Sequence, residues 1–124
     1  MKIMVIALGG AMGSVLRFWL STSVQARFPA NFPWGTLSVN ALGSLLIGIL
    51  FVIIQQRFHG NEILRALLIV GLLGGFTTFS TFSLETLQLI QIGLWSRALL
   101  NIISSVAVCI LGALVGIGIG RLAT

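Results

Sequence analysis

Charge is scarce in this 124-residue chain, and negative charge is almost missing. Two glutamates, Glu62 and Glu85, stand against seven lysines and arginines, and charged residues make up 7 % of the whole. A soluble domain carries about 25 % charged residues, so a chain this poor in charge and 57 % hydrophobic cannot cover a globule with polar surface. The composition indicates a polytopic membrane protein, long enough for one compact membrane domain, residues 1–124. The seven basic residues do not cluster, whereas nucleic-acid binding needs a basic patch or stripe, which excludes that partner. A lone cysteine, Cys109, rules out an intramolecular disulfide. The lone histidine, His59, lies between hydrophobic runs with no nucleophile–base pair in view, which argues against an enzyme. The two prolines, Pro29 and Pro33, share one link and interrupt no hydrophobic run. Tyrosine is absent altogether.

What remains is apolar sequence in four segments, residues 3–24, 37–54, 65–92 and 98–119, and a spanning helix needs about 20 mostly apolar residues. The first has the basic start and apolar run of a secretory signal, but it continues through Trp19 and Leu20 and reads as a retained helix. The links RFPANFPWG, QQRFHGNE and GLWSR are short, and Trp19, Trp34 and Trp95 fall near segment ends, where an interfacial aromatic belt places them. Four spans put Lys2, Arg57, Arg65 and Arg121 on one side of the membrane and Arg17, Arg27 and Arg97 on the other. Orientation follows the excess of Lys and Arg in cytoplasmic loops. A difference of 4 − 3 = 1 is nearly no bias, so insertion both ways, and with it an antiparallel homodimer, is open to this chain.

The third segment holds the most informative stretch, GLLGGFTTFSTFSLE from Gly71 to Glu85. Two readings fit its length: a tilted continuous helix, and a helix broken at Gly71, Gly74 and Gly75. The TTFST run directly after the glycines favours the break, because irregular backbone at membrane depth survives only inside protein or beside a water-filled cavity. Phe76, Phe79 and Phe82 share a face at i, i+3 spacing; such a stripe is usually packing, yet the positive edge of a phenyl ring can also face an anion. Asn40, Ser44 and Gly48 share a face in segment two, as do Asn101, Ser105 and Cys109 in segment four, and Thr77, Thr81 and Glu85 in segment three. Interhelical hydrogen bonding accounts for most residues of this kind. A buried Asn40 needs partners, and its NH2 group can equally donate to an anion. Glu85 is an ionisable residue in a spanning segment and hence a functional candidate, or a helix-end carboxylate near the interface. Arg17 lies close enough to its segment's end to snorkel. Glycines every four residues, Gly9 and Gly13 in segment one and Gly112, Gly116 and Gly120 in segment four, predict close helix packing.

GGAMGSVLRF at 9–18, PWGTLSVNALGSLLIG at 33–48 and GLLGGFTTFSTFSLE at 71–85 together resemble the Fluc (CrcB) fluoride channel family. The resemblance covers three of the four segments. Segment four matches least: the family often carries a tyrosine there, and Asn101 stands in that region here. The resemblance implies an all-α, four-helix membrane protein with a third helix broken mid-membrane, assembled as a dual-topology antiparallel homodimer with two pores. It implies passive export of fluoride across the inner (plasma) membrane, relieving fluoride toxicity. It implies that Asn40, Phe79 and Phe82 meet the ion and that Ser80 and Thr81 form a polar track beside them. Ser105 is the candidate pore residue of segment four, with Ser104 as the alternative. The resemblance further implies one structural Na+ at the dimer centre, on the backbone carbonyls of Gly74 and Thr77. Arg17 and Glu85 are candidates for a vestibule or helix-support role. Two alternatives stand against it. A small multidrug exporter of four helices relies on a carboxylate in its first helix, which segment one lacks. A non-transporting membrane accessory subunit would need the glycines but not the TTFSTF run.

Overall fold

A backbone that crosses lipid must satisfy its own N–H and C=O groups, and the computed structural model, which describes residues 1–124, does so with helices and no strand. In chain order these are α1 (Lys2–Gln25), α2 (Trp34–Arg57), α3 (Glu62–Leu64), a π-helical stretch (Arg65–Leu73), α4 (Gly74–Phe76), α5 (Phe79–Gln91) and α6 (Trp95–Ala123). The pieces from Glu62 to Gln91 make one span, so four helices are long and apolar enough to cross a membrane. The helices overrun their hydrophobic runs. For example, α2 starts at Trp34 and ends at Arg57, two residue types that suit the interface.

The links are held by specific polar contacts. Gln25 Nε2 donates to the carbonyls of Pro29 (3.3 Å) and Phe32 (3.1 Å), and its Oε1 accepts the Gly35 N–H (3.1 Å). That amide folds the first link back onto α1, and the buried Phe32 packs against Trp34 with ring centroids 4.7 Å apart. In the second link the backbone turns through His59 (φ 52°) and Gly60 (φ 69°). Asn61 Oδ1 then caps the third span by accepting the N–H groups of Ile63 (2.9 Å) and Leu64 (3.0 Å).

Two helix pairs form the body of the protein: α1 lies along the first half of the third span, and α2 lies along α6. Both seams are made by glycine. A Cβ built on Gly13 would sit 2.1 Å from the Leu72 carbonyl oxygen, and one on Gly9 would sit 2.4 Å from that of Leu67. On the other seam a Cβ on Gly48 would meet the Ala113 oxygen at 2.3 Å, and one on Gly116 the Leu45 oxygen at 2.2 Å. Backbone therefore lies on backbone, the packing that small residues permit in lipid. The opposite faces present Leu8, Val15, Ile103, Ile110, Leu114 and other large apolar side chains outward, as a hydrocarbon surrounding requires.

This seam is testable in purified protein. Gly13→Val drives a branched side chain into main-chain oxygen that has no room to retreat, and thermal unfolding in detergent should show a loss of at least about 1–3 kcal/mol or no folded protein. Gly118→Ala is the contrast, because nothing lies within 4 Å of its Cβ position; a better helix former there should leave stability unchanged or raise it by about 0.5–1 kcal/mol.

Candidate functional site

The third span leaves helical geometry once. α4 ends at Phe76, Thr77 (φ −87°, ψ 156°) and Thr78 (φ −150°, ψ 120°) are extended, and α5 begins at Phe79. The glycines ahead of this point are helical, Gly74 at φ −61°, ψ −38°, so the chain does not open at Gly71, Gly74 or Gly75 as their sequence suggested. Gly71 and Gly75 serve the approach to α1 instead. A Cβ on either would stand 2.8 and 2.7 Å from the carbonyl oxygens of Ile6 and Gly10.

One side chain from a neighbouring helix completes the extended step. Asn40 Nδ2 on α2 donates to the Thr78 carbonyl (3.0 Å), and the Thr78 N–H donates to Asn40 Oδ1 (2.8 Å). The carboxamide thus pairs with a peptide unit as an adjacent strand would. Thr78 then caps α5: its Oγ1 accepts the Thr81 N–H (3.2 Å) and donates to Thr81 Oγ1 (3.1 Å), with Ser80 Oγ 3.4 Å away. On the other side of the step Thr77 Oγ1 and N–H both donate to the Leu73 carbonyl, at 2.9 and 3.0 Å, closing the first half of the span. Gly43 of α2 leaves space for the Thr77 methyl, which a Cβ there would meet at 2.2 Å.

This rearrangement has a consequence for two oxygens. In an unbroken α-helix the Gly74 carbonyl takes the N–H of Thr78, and the Thr77 carbonyl takes that of Thr81. Here the first donor goes to Asn40 and the second to Thr78 Oγ1. Gly74 and Thr77 are therefore left with main-chain oxygens that have lost their helical donors.

A cavity of about 410 Å³ opens at the same place between α2, the third span and α6. Asn40, Gly74, Thr77, Phe79, Phe82 and Ser105 all line it, together with Ser44, Thr78 and Cys109. The Phe79 and Phe82 rings stand 5.3 Å apart at 44°. Phe82 is buried, whereas Phe79 is 77 % exposed. Of the two donor hydrogens on Asn40 Nδ2, one is used by Thr78 and one remains. Ser105 Oγ spends its single proton on Asn101 Oδ1 (3.2 Å), so its lone pairs are what it offers elsewhere. Ser80 and Thr81 are not in the lining; they belong to the cap of α5 and are exposed. Arg17 is half-buried on α1 and pairs with no carboxylate, the one ion pair being Lys2 with Glu62 near the surface. Glu85 lies further along α5, accepts the Thr36 hydroxyl, and lines a second cavity of about 470 Å³ with Gln25 and Gln88.

Three partners escaped the reading of the sequence. Thr78 carried a signal, since threonine is a preferred residue just before a helix. Thr36 and Thr86 carried none, because a hydroxyl in an apolar run looks the same whether it turns back on its own helix or crosses to another.

The family model described as CrcB-like protein, Camphor Resistance (CrcB), matches residues 4–117. The chain belongs to this family. Relatives named "Fluoride-specific ion channel FluC" align over nearly the full length. That of Magnetococcus marinus is 57 % identical over 98 % of this chain and 99 % of its own. That of Phocaeicola vulgatus is 50 % identical over 94 % and 95 %, and that of Coxiella burnetii 48 % over 98 % of each. The family model, over residues 4–117, takes in nearly all of the four spans, including most of the least distinctive α6.

The clamp on Thr78 predicts the effect of removing it. Asn40→Leu keeps the volume and strands one N–H and one C=O, each costing about 1–3 kcal/mol when buried and unpaired. Purified protein should unfold at lower temperature, and hydrogen exchange at Thr78 and Phe79 should accelerate more than exchange in α1.

Proposed function

We propose that this protein is a passive, fluoride-selective channel that lets fluoride leave the cytoplasm, built as an antiparallel homodimer. The observation that carries the reading is the cavity at the extended step, where the spare Asn40 N–H, the Ser44 hydroxyl and the start of α5 meet and no lysine or arginine intrudes. Fluoride is small and strongly hydrated, so a path for it must replace water with donors, yet hold the ion loosely enough to release it. Asn40 has a free N–H, and the N-terminus of α5 opens on the cavity at Thr78 and Phe79, where a helix carries partial positive charge. The Phe79 and Phe82 edges add a positive rim with no fixed charge. The name shared by the relatives supports the same ion. Ser80 and Thr81 act from the cap rather than from the cavity wall, and Glu85, held by the Thr36 hydroxyl, borders the neighbouring cavity.

Two features support the dimer. Phe79, in the cavity wall, is largely exposed, and a second copy packed on it would cover it. The near-balance of basic residues, 4 against 3, leaves both orientations accessible. The Gly74 and Thr77 carbonyls fit a Na+ shared between two subunits, because hard oxygens released at a half-helix end are the donors such an ion takes. Na+ there would tie the subunits together as a structural element.

Fluoride efflux from proteoliposomes tests the ion path, with chloride as control. Wild-type protein should pass fluoride and not chloride. Asn40→Asp replaces a donor by a negative charge where an anion passes, and flux should fall by roughly tenfold or more. Phe79→Ile and Phe82→Ile should lower flux with the dimer intact. Equal chloride efflux, or unchanged fluoride efflux in a folded Asn40→Asp dimer, would overturn the reading.

The assembly has its own test. A reporter fused to the C-terminus should be found on both sides of the membrane, and added lysines near that terminus should bias it to one side. Purified dimer should dissociate at higher temperature in Na+ than in a large organic cation. A reporter confined to one side refutes dual insertion, and identical dissociation in both salts refutes the Na+.

A further inference from the structure

A buried polar line runs behind the cavity wall and joins α6 to α5. Ser105 Oγ donates to Asn101 Oδ1 (3.2 Å), Asn101 Nδ2 donates to Thr86 Oγ1 (2.9 Å), and Thr86 Oγ1 donates to the Phe82 carbonyl (2.7 Å). Asn101 is 1 % exposed and, unlike Ser105 and Phe82, has no part in lining the cavity. An apolar residue would pack at this depth without needing partners, so a carboxamide here requires a reason. Both ends of the line are cavity residues.

The way α5 is held supplies that reason. α5 follows an extended step, so helical continuity with α4 does not set its rotation about its own axis. It packs on α6 far less than α2 does. Two side-chain hydrogen bonds tie it to other helices, Thr36 to Glu85 from α2 and Asn101 to Thr86 from α6. Thr86 lies one turn beyond Phe82 on the same face, and its hydroxyl is bonded to the Phe82 carbonyl itself. Fixing Thr86 therefore fixes the direction in which the Phe82 side chain leaves α5.

We propose that Asn101 is a positioning residue for the ion path, holding Phe82 at the cavity through Thr86 without meeting the ion. The inference rests on the channel reading above and extends it to a residue outside the cavity lining.

A double-mutant cycle tests it, with fluoride efflux measured per reconstituted dimer. Asn101→Leu keeps the volume, removes the bond to Thr86, and should lower efflux about five- to twentyfold, the effect of one lost buried hydrogen bond. Placed on a Phe82→Ile background, the same change should cost less than about twofold, because groups acting through one another are not additive. A purely structural Asn101 would give the same factor in both backgrounds, and that result overturns the proposal, as does wild-type efflux in Asn101→Leu alone while Phe82→Ile is impaired. Wild-type efflux in Phe82→Ile alone sinks the pore assignment of Phe82 and the inference with it, a failure separable from the first two. If leucine at 101 prevents dimer formation, Thr86→Val breaks the same line from the other end with nearly unchanged shape, and the same two outcomes apply to it.

Discussion

Everything at the site depends on two hydrogen bonds between the Asn40 carboxamide and the Thr78 peptide unit. Extended backbone inside a membrane helix exposes groups that lipid cannot satisfy. Asn40 answers both groups of Thr78 at once, with one donor and one acceptor in the arrangement a neighbouring strand would offer. With that pair in place the chain can step through Thr77 and Thr78 and restart as α5. The step then presents two unlike ends to the protein interior. α4 stops with carbonyl oxygens that have lost their helical donors, and α5 starts at Thr78 and Phe79, which line the cavity. A helix end of each sign thus borders one and the same cavity.

The two halves of the third span are held in different ways. The first half is locked by main-chain contact, since Gly9, Gly13, Gly71 and Gly75 bring α1 so near that no added Cβ fits. The second half has no such seam. It is oriented by hydroxyls and amides, Thr36 on Glu85 and Asn101 on Thr86. Directional bonds of this kind cost little volume and fix rotation, whereas glycine seams fix distance. A rigid first half and a polar-tethered second half are what a lining helix needs if its aromatic rings are to point one way.

The shortage of charge noted in the composition is repeated at the site. Neither cavity is lined by a basic residue, and the one carboxylate near them, Glu85, is engaged by a threonine. On the channel reading this suits a permeating anion. A fixed ammonium or guanidinium in a low-dielectric site would hold an anion by several kcal/mol, and conduction requires an ion that leaves as readily as it enters. Partial charges from a helix end, one amide hydrogen and ring edges stay below that limit.

How much of this was legible in the residues differs by level. Composition and hydropathic runs by themselves determined four helical spans and a membrane setting, because a chain with 7 % charged residues has no other way to hide its apolar surface. Spacing placed Gly9, Gly13, Gly116 and Gly120 on the seams, since a four-residue repeat puts them on one helix face whatever the neighbour, whereas Gly48, Gly71 and Gly75 were recognisable as seam glycines only once the helices were packed. The TTFST run favoured a break that the residues suggested at the glycines; the extended backbone lies at Thr77 and Thr78 instead, and that place was a tertiary decision. Glycine permits a break without requiring one, and the extended step fell at Thr77–Thr78 because Asn40, 38 positions away, reaches Thr78 and no other peptide there. The same holds for Asn101 with Thr86 and for Thr36 with Glu85. Which hydroxyl in an apolar helix turns outward to a partner depends on how the helices rotate against one another, and that rotation exists only once they are packed.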